Sequence, residues 1–388
     1  MDDTILLGGK RRARRVYGFD DVSIVPSERT VDPEDTDTSM KIGDYSFDAP
    51  FIASAMDGVV DVKFAVAMGK LGGLAVLNLN GLQTRYDKPW EILKQIPEKS
   101  PEEVTIFIRE IYREPIRPEL VGKRVEEIKK AGVICSVSSV PQDAEKFGAL
   151  ALEAGVDIFV IQSTVTSLRH ESSRFKSLDI AKFCSGYPKP VIIGNCVTYG
   201  VAYALMEAGA TGVLVGIGPG AACTTRGVLG IGIPQITATA DCAQARDDYE
   251  AETGRRAVVI ADGGMRVGGD ICKALAAGAD GVMIGSPFAK AEEAPGGGYH
   301  WGMATSHEAL PRGTRVKVGI HGSLKNILVG PALFDDGSQN LMGSVKNCMG
   351  LTGAKTLREF QDVELVVSTS FMSEGKLLQT AQRVGMGR

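Results

Sequence analysis

Histidine is scarce, four in 388 residues, and the seven cysteines (Cys135, Cys184, Cys196, Cys223, Cys242, Cys272 and Cys348) are odd in number, widely spaced and without a CxxC pair. That pattern argues against a His/Cys metal cage and against a disulfide framework. No run of about 18 apolar residues occurs, the length a membrane-spanning helix needs, and the N-terminus lacks a charged-then-apolar signal pattern. Charge of one sign is lacking too. Lys and Arg number 43 against 47 Asp and Glu, a net −4, so no global field advertises a nucleic acid or a membrane partner. The one basic cluster, Lys10, Arg11, Arg12, Arg14 and Arg15, reads as a solvated arm or subunit contact. A soluble, reduced, cytoplasmic protein is expected.

Glycine is abundant: 47 of 388 residues, about 12% against a usual share of about 7%. Such a surplus points to many tight turns or to backbone that approaches a ligand closely. Apolar residues make up 44% and charged residues 23%, ordinary globular usage for one large domain or two smaller ones.

Short apolar runs alternate with helical stretches along the middle of the chain. Candidate strands are Phe51–Ala55, Leu74–Leu77, Val133–Val137, Ile158–Ile161, Val191–Gly194, Val213–Val215, Val258–Ala261 and Val282–Ile284. They are apolar at consecutive positions, as strands covered on both faces of a parallel sheet should be. A recurring phrase precedes several of them: Ala154-Gly155-Val156, Ala208-Gly209-Ala210 and Ala277-Gly278-Ala279. In each, the glycine would end a helix in the left-handed conformation and release the chain into a strand. Eight such units predict an α/β fold of the (β/α)8 TIM-barrel type rather than an open doubly wound sheet. The chain then reads as one catalytic barrel domain over 1–388. An N-terminal segment spans 1–49, the barrel 50–290 with a helical excursion at 81–125, and a glycine-rich flap and C-terminal segment 291–388. Within the excursion, Ser100-Pro101-Glu102-Glu103 is a capping box with Pro at the first helical position.

On barrels, chemistry sits at the strand C-terminal ends. The sixth strand runs into Gly216-Ile217-Gly218-Pro219-Gly220-Ala221-Ala222-Cys223-Thr224-Thr225-Arg226. Glycine-rich backbone before a cysteine just past a strand end suits a nucleophile, with Thr225 placed as a proton relay. The other six cysteines read as small buried hydrophobes. Strands seven and eight end in Asp262-Gly263-Gly264 and Gly285-Ser286. These are either ordinary tight turns or phosphate-binding loops with a carboxylate for ribose hydroxyls. With the cysteine loop opposite, a nucleotide fits. Tyr299 to Met303 follow the Gly296–Gly298 triplet as a candidate lid; His300 and His307 read as surface or packing residues.

These segments resemble the IMP dehydrogenase / GMP reductase family over most of the chain. Gly216–Arg226 is similar to its catalytic-cysteine loop, Phe19–Val22 to its N-terminal segment, and Ser54-Ala55-Met56-Asp57 to its first strand end. Gly194-Asn195 resembles its fifth strand end, and Asp262–Gly264 with Gly285-Ser286 its phosphate loops. A tandem regulatory (CBS) domain between early barrel units is replaced here by 81–125, which resembles the short dehydrogenase-related branch. The resemblance implies oxidation of inosine monophosphate (IMP) to xanthosine monophosphate with NAD through a covalent thioimidate on Cys223. It implies nucleotide contacts at Ser54, Met56, Asn195, Asp262, Gly263, Gly264, Gly285, Ser286, Tyr299, Gly302, Met303 and Ala304. Cofactor contacts are implied at Gln162, Ser163, Thr164 and Gly216. A potassium (monovalent cation) seat is implied on the carbonyls of Gly218, Gly220 and Cys223, and a homotetramer as the assembly.

This chain also departs from the family pattern. Gln162-Ser163-Thr164 stands where dehydrogenases end the fourth strand in a cofactor-binding aspartate, and Ala221 where many members have a phosphate-binding serine. No Arg-Tyr pair for water activation lies between Met303 and Val316, and Ser306 stands in place of the reductase glutamate. Arg312 or Thr225 is therefore the expected water activator. A GMP reductase using NADPH and a non-catalytic purine-nucleotide sensor are the alternatives.

Overall fold

The computed structural model describes residues 4–173, 176–303 and 315–368, together with Gln379 and Gln382. Eight parallel strands close into a barrel: β1 (Phe51–Ala53), β2 (Leu74–Asn78), β3 (Ser136–Ser139), β4 (Ile158–Gln162), β5 (Val191–Cys196), β6 (Gly212–Val215), β7 (Val258–Asp262) and β8 (Gly281–Ile284). Each pairs with its neighbours in chain order, and β8 pairs with β1 through Met283↔Ile52. The expected (β/α)8 fold is the observed one. Gly155, Gly209 and Gly278 all take positive φ, between 89° and 107°, at the helix-to-strand joints where the repeated phrase places them.

One strand is displaced. The ladder of β3 begins at Ser136, not at Val133, because Cys135 still belongs to the approach turn. Its N–H donates to Asp157 Oδ2 at 2.8 Å, and its carbonyl accepts from Asp157 and Ile158. Apolarity marks what is buried, whereas strand limits follow hydrogen-bonding partners. The polar Ser136, Ser138 and Ser139 are buried within this strand all the same.

The barrel interior is filled by Ile52, Leu74, Val76, Ile158, Val160, Ile192, Leu214, Val258, Ile260 and Met283. The same cluster includes Met40, Ile42 and Phe47 from the antiparallel hairpin Met40–Ile42/Tyr45–Phe47. A Cβ on Gly281, the first residue of β8, would lie 2.4 Å from Met40 Sδ, so the hairpin plugs the N-terminal end of the barrel. Only the C-terminal end is left as a mouth. The outer face of the strands packs on the helices in a second, larger core.

Between β2 and β3 the excursion comprises a 3-10 turn (Leu82–Thr84) and helices Pro89–Leu93 and Pro101–Ile111. Ser100 caps the longer helix with the expected reciprocal bonds to Glu103. The excursion ends earlier than Val125. Helix Pro118–Lys130 buries Leu120, Val121, Val125 and Ile128 and is part of the barrel's outer layer. The excursion has its own small core of Leu82, Leu93, Ile96, Val104, Ile108, Ile111 and Tyr112, into which Trp301 inserts from the glycine-rich segment. Among the described residues no helix is long and apolar enough to cross a membrane.

Candidate active site

At the barrel mouth the strand ends surround a cavity of about 360 Å3. The loop after β6 forms one wall, from Gly216 to Thr225. Glycine is required at Gly216, with φ 150°, because a Cβ there would lie 2.3 Å from the Asp262 carbonyl oxygen. The loop turns tightly, with the Cys223 N–H donating to the Gly220 carbonyl at 3.0 Å. Arg226 braces it from behind, donating to the carbonyls of Ile217 at 3.0 Å and Ile233 at 2.7 Å. Cys223 is the one exposed thiol of the seven. Its Sγ–H donates to Thr225 Oγ1 at 3.2 Å, and Thr225 is buried. The buried Cys135 thiol, by contrast, is pushed up to about 12 and Cys184 to about 11 by burial, which keeps both protonated and inert.

On either side of the strand that carries the cysteine loop, β5 and β7 deliver Asn195 and Asp262, and β4 adds Gln162, to one polar cluster at the foot of that loop. Asn195 Nδ2 donates to Asp262 Oδ2 at 2.7 Å and to the Gly216 carbonyl at 2.9 Å. Gln162 Nε2 donates to Asp262 Oδ2 at 3.0 Å and to Asn195 Oδ1 at 3.1 Å. Burial raises the Asp262 carboxyl to about 6, against the pull of the Asn195 amide. Ser54, Met56, Gly263, Gly264, Gly285 and Ser286 line the next stretch of wall. The Gly263 N–H already donates to the Met283 carbonyl at 3.0 Å. Gly264, Gly285 and Ser286 line the cavity beside it.

Gly218, Gly220, Ser163, Thr164, Gly302 and Met303 also line the cavity. Tyr299 does not. Successive residues of a strand face opposite ways, and in Tyr299–Trp301 it is His300 that faces the cavity, while the Tyr299 ring lies under the Arg315 guanidinium at 4.6 Å. His300 Nε2 shares a hydrogen bond with Ser286 Oγ at 2.9 Å, and burial lowers the imidazole to about 4, so it is neutral near pH 7. Ala304 and Arg312 lie outside the described residues.

Other lining residues were not among those expected: Asn78, Asn80, Ser138, Ser139 and Arg266. Placing the third strand too early hid Ser138 and Ser139 as strand-end residues, and the apolar reading of the second stopped before Asn78. Arg266 Nη2 reaches Asp20 at 3.0 Å and Nε reaches Asp270 at 3.1 Å, setting a permanent cation beside the Gly264 loop. Among the described residues no cluster of His, Cys, Asp or Glu could hold a metal ion.

A (β/α)8 barrel that gathers a cysteine on a glycine-rich loop, two carboxamides and a carboxylate at its C-terminal mouth has the layout of a barrel enzyme. Comparison with known proteins narrows this further. The family model described as IMP dehydrogenase / GMP reductase domain matches residues 16–376, and the chain belongs to that family. It is 40% identical over 372 residues to an uncharacterized oxidoreductase of Mycolicibacterium smegmatis, covering 94% of this chain and 99% of that protein. An inosine-5'-monophosphate dehydrogenase of Methanocaldococcus jannaschii is 27% identical, covering 90% of this chain and 92% of that one. The crystal structure of an IMP dehydrogenase/GMP reductase-like protein from Corynebacterium glutamicum superposes with a TM-score of 0.89 at 36% identity, covering 94% of this chain and 98% of that one. The protein is thus a (β/α)8 barrel of an oxidoreductase family.

Proposed function

We propose that the chain oxidises IMP to xanthosine monophosphate with NAD+. The single observation that carries this reading is the exposed Cys223 thiol, 3.2 Å from the buried Thr225 hydroxyl, in the lining of a cavity that also holds the Gln162–Asn195–Asp262 cluster. The nucleotide's phosphate would sit on the amides of Gly264, Gly285 and Ser286 near Arg266, and its ribose hydroxyls would donate to Asp262. That orientation directs the purine toward Cys223 and Met303.

The Cys223 sulfur adds to C2 of the hypoxanthine as its thiol proton passes to solvent water and the C2=N3 π pair moves onto N3, to return when the C2 hydrogen departs. The carbon becomes tetrahedral and electron-rich, which releases the C2 hydrogen as hydride. NAD+, when bound, supplies the hydride acceptor. The neutral amide and hydroxyls of Gln162, Ser163 and Thr164 suit such a cofactor, because a nicotinamide ribose needs hydrogen-bond partners and no counter-charge. Water then attacks C2 of the thioimidate, the C–S bond breaks, and the thiol is regenerated. Thr225 is the relay for the water proton, with Arg312 as the second candidate; Arg312→Ala retaining the parent hydrolysis rate would remove the arginine. A monovalent cation would sit on the carbonyls of Gly218, Gly220 and Cys223. Gly220 keeps a lone pair for it beyond its bond to the Cys223 N–H.

The test is a two-substrate assay at the NADH absorbance band. IMP with NAD+ should give a rise, together with a Cys223 adduct detectable by mass spectrometry. A fall with GMP and NADPH would instead mark a reductase, and no change with either pair a nucleotide sensor.

A further inference from the structure

Tyr112 caps the C-terminus of the excursion helix Pro101–Ile111, and its hydroxyl is a meeting point of three segments. Trp301 Nε1–H donates to it at 2.9 Å, it lies 2.6 Å from Asp57 Oδ2, and Met303 Sδ is 3.3 Å away. A phenol has one proton, so the carboxylate and the thioether compete for it. The carboxylate takes it, since a charge-assisted bond is about twice as strong as a neutral one. The sulfur is then held as a soft packing neighbour. Asp57 Oδ2 also accepts the Leu82 N–H at 2.8 Å, and a Cβ on Gly81 would lie 2.4 Å from Asp57 Oδ1. The excursion is thereby clamped to the loop after β1.

Both ends of this connection reach the cavity. Asp57 follows Met56, which lines it, and Met303 lines it from the other side. Between Trp301 and Met303, Gly302 presses on the cysteine loop, where a Cβ would lie 2.9 Å from the Ala222 carbonyl oxygen. Tyr112, Trp301 and Asp57 are all buried, so water offers little compensation for a lost bond.

We infer that Tyr112 is a positioning residue of the Cys223 site: through its hydroxyl the excursion sets where Met303 and Gly302 stand against the cysteine loop. This deepens the proposed function and rests on it for the identity of the bound nucleotide. Tyr112 touches no substrate; it acts through Met303.

A double-mutant cycle tests the inference. Tyr112→Phe removes one oxygen and keeps the ring packed, and Met303→Leu removes the sulfur at similar volume. Two readouts are taken: kcat/KM for IMP with NAD+, and the rate at which iodoacetamide alkylates the Cys223 peptide, followed by mass spectrometry. Each single substitution should lower kcat/KM about tenfold and raise alkylation about threefold, and the double should match the worse single because the two residues act as one unit. Alkylation effects that multiply, or a Tyr112→Phe protein that loses thermal stability without any change at Cys223, overturn the inference. If the parent protein does not turn over IMP with NAD+, the function reading fails separately, and alkylation alone decides the role of Tyr112.

Discussion

Burial favours the neutral form of two ionisable side chains at the mouth, Asp262 and His300. Asp262 is raised to about 6, so the free protein carries it partly protonated in mild acid. A carboxyl raised in the folded state binds more protons than in the unfolded chain between about pH 4 and 6, so it lowers stability as pH rises through that window. The gap from 3.8 to about 6 corresponds to roughly 3 kcal/mol. Asp262→Asn should flatten the decline in thermal midpoint across this window. If ribose hydroxyls donate to the ionised carboxylate, KM for the nucleotide should also fall between pH 5 and 7 in the parent and not in the variant. Thr225 makes a second prediction at this scale. Thr225→Val keeps the shape and removes the relay, and kcat should drop about 10- to 100-fold. Because hydride transfer precedes hydrolysis, a first-turnover burst of NADH should persist, measurable by rapid mixing.

At the scale of elements, the helix Gln235–Thr253 is pinned to the start of β8 through buried charge. Arg246 Nη1 reaches Asp280 Oδ2 and the Gly278 carbonyl, each at 2.8 Å, and Arg256 Nη2 reaches Asp280 Oδ1 at 2.8 Å. Burial alone would raise the Asp280 carboxyl, but Arg246 and Arg256 outweigh it and hold it below the usual range. Its stabilising contribution is present at neutral pH and lost as pH falls through the depressed value. Arg246→Met should cost about 1.5–3 kcal/mol, read from the urea midpoint, because it removes one charged hydrogen-bond partner while Arg256 and the Val259 N–H still hold the carboxylate. Elements also show where sequence reading succeeds. The capping box at Ser100 and the three Ala-Gly joints were legible because their bonds lie within a few residues. The start of β3 was not, since its limits depend on Val76 and Ile158 far along the chain. Tyr299 and His300 were exchanged for a similar reason: strand pairing with Arg315–Lys317 decides which neighbour faces inward.

For the whole molecule, a plugged barrel base and an open mouth confine chemistry to one end. A monovalent cation held on the cysteine-loop carbonyls predicts that turnover in potassium exceeds turnover in an organic cation of equal ionic strength. The proposed homotetramer predicts light scattering at four times the 41.2 kDa chain mass.

The eightfold alternation, the cysteine loop and the glycine-rich turns after the seventh and eighth strands were written in local sequence, because periodicity and glycine placement act over a few residues. Which side chains share the cavity was decided only by closure of the barrel. Asn195 and Asp262 are 67 positions apart, yet their hydrogen bond is 2.7 Å long. Tyr112 meets Trp301 only because the excursion folds back over the barrel rim, and no short-range pattern encodes that return.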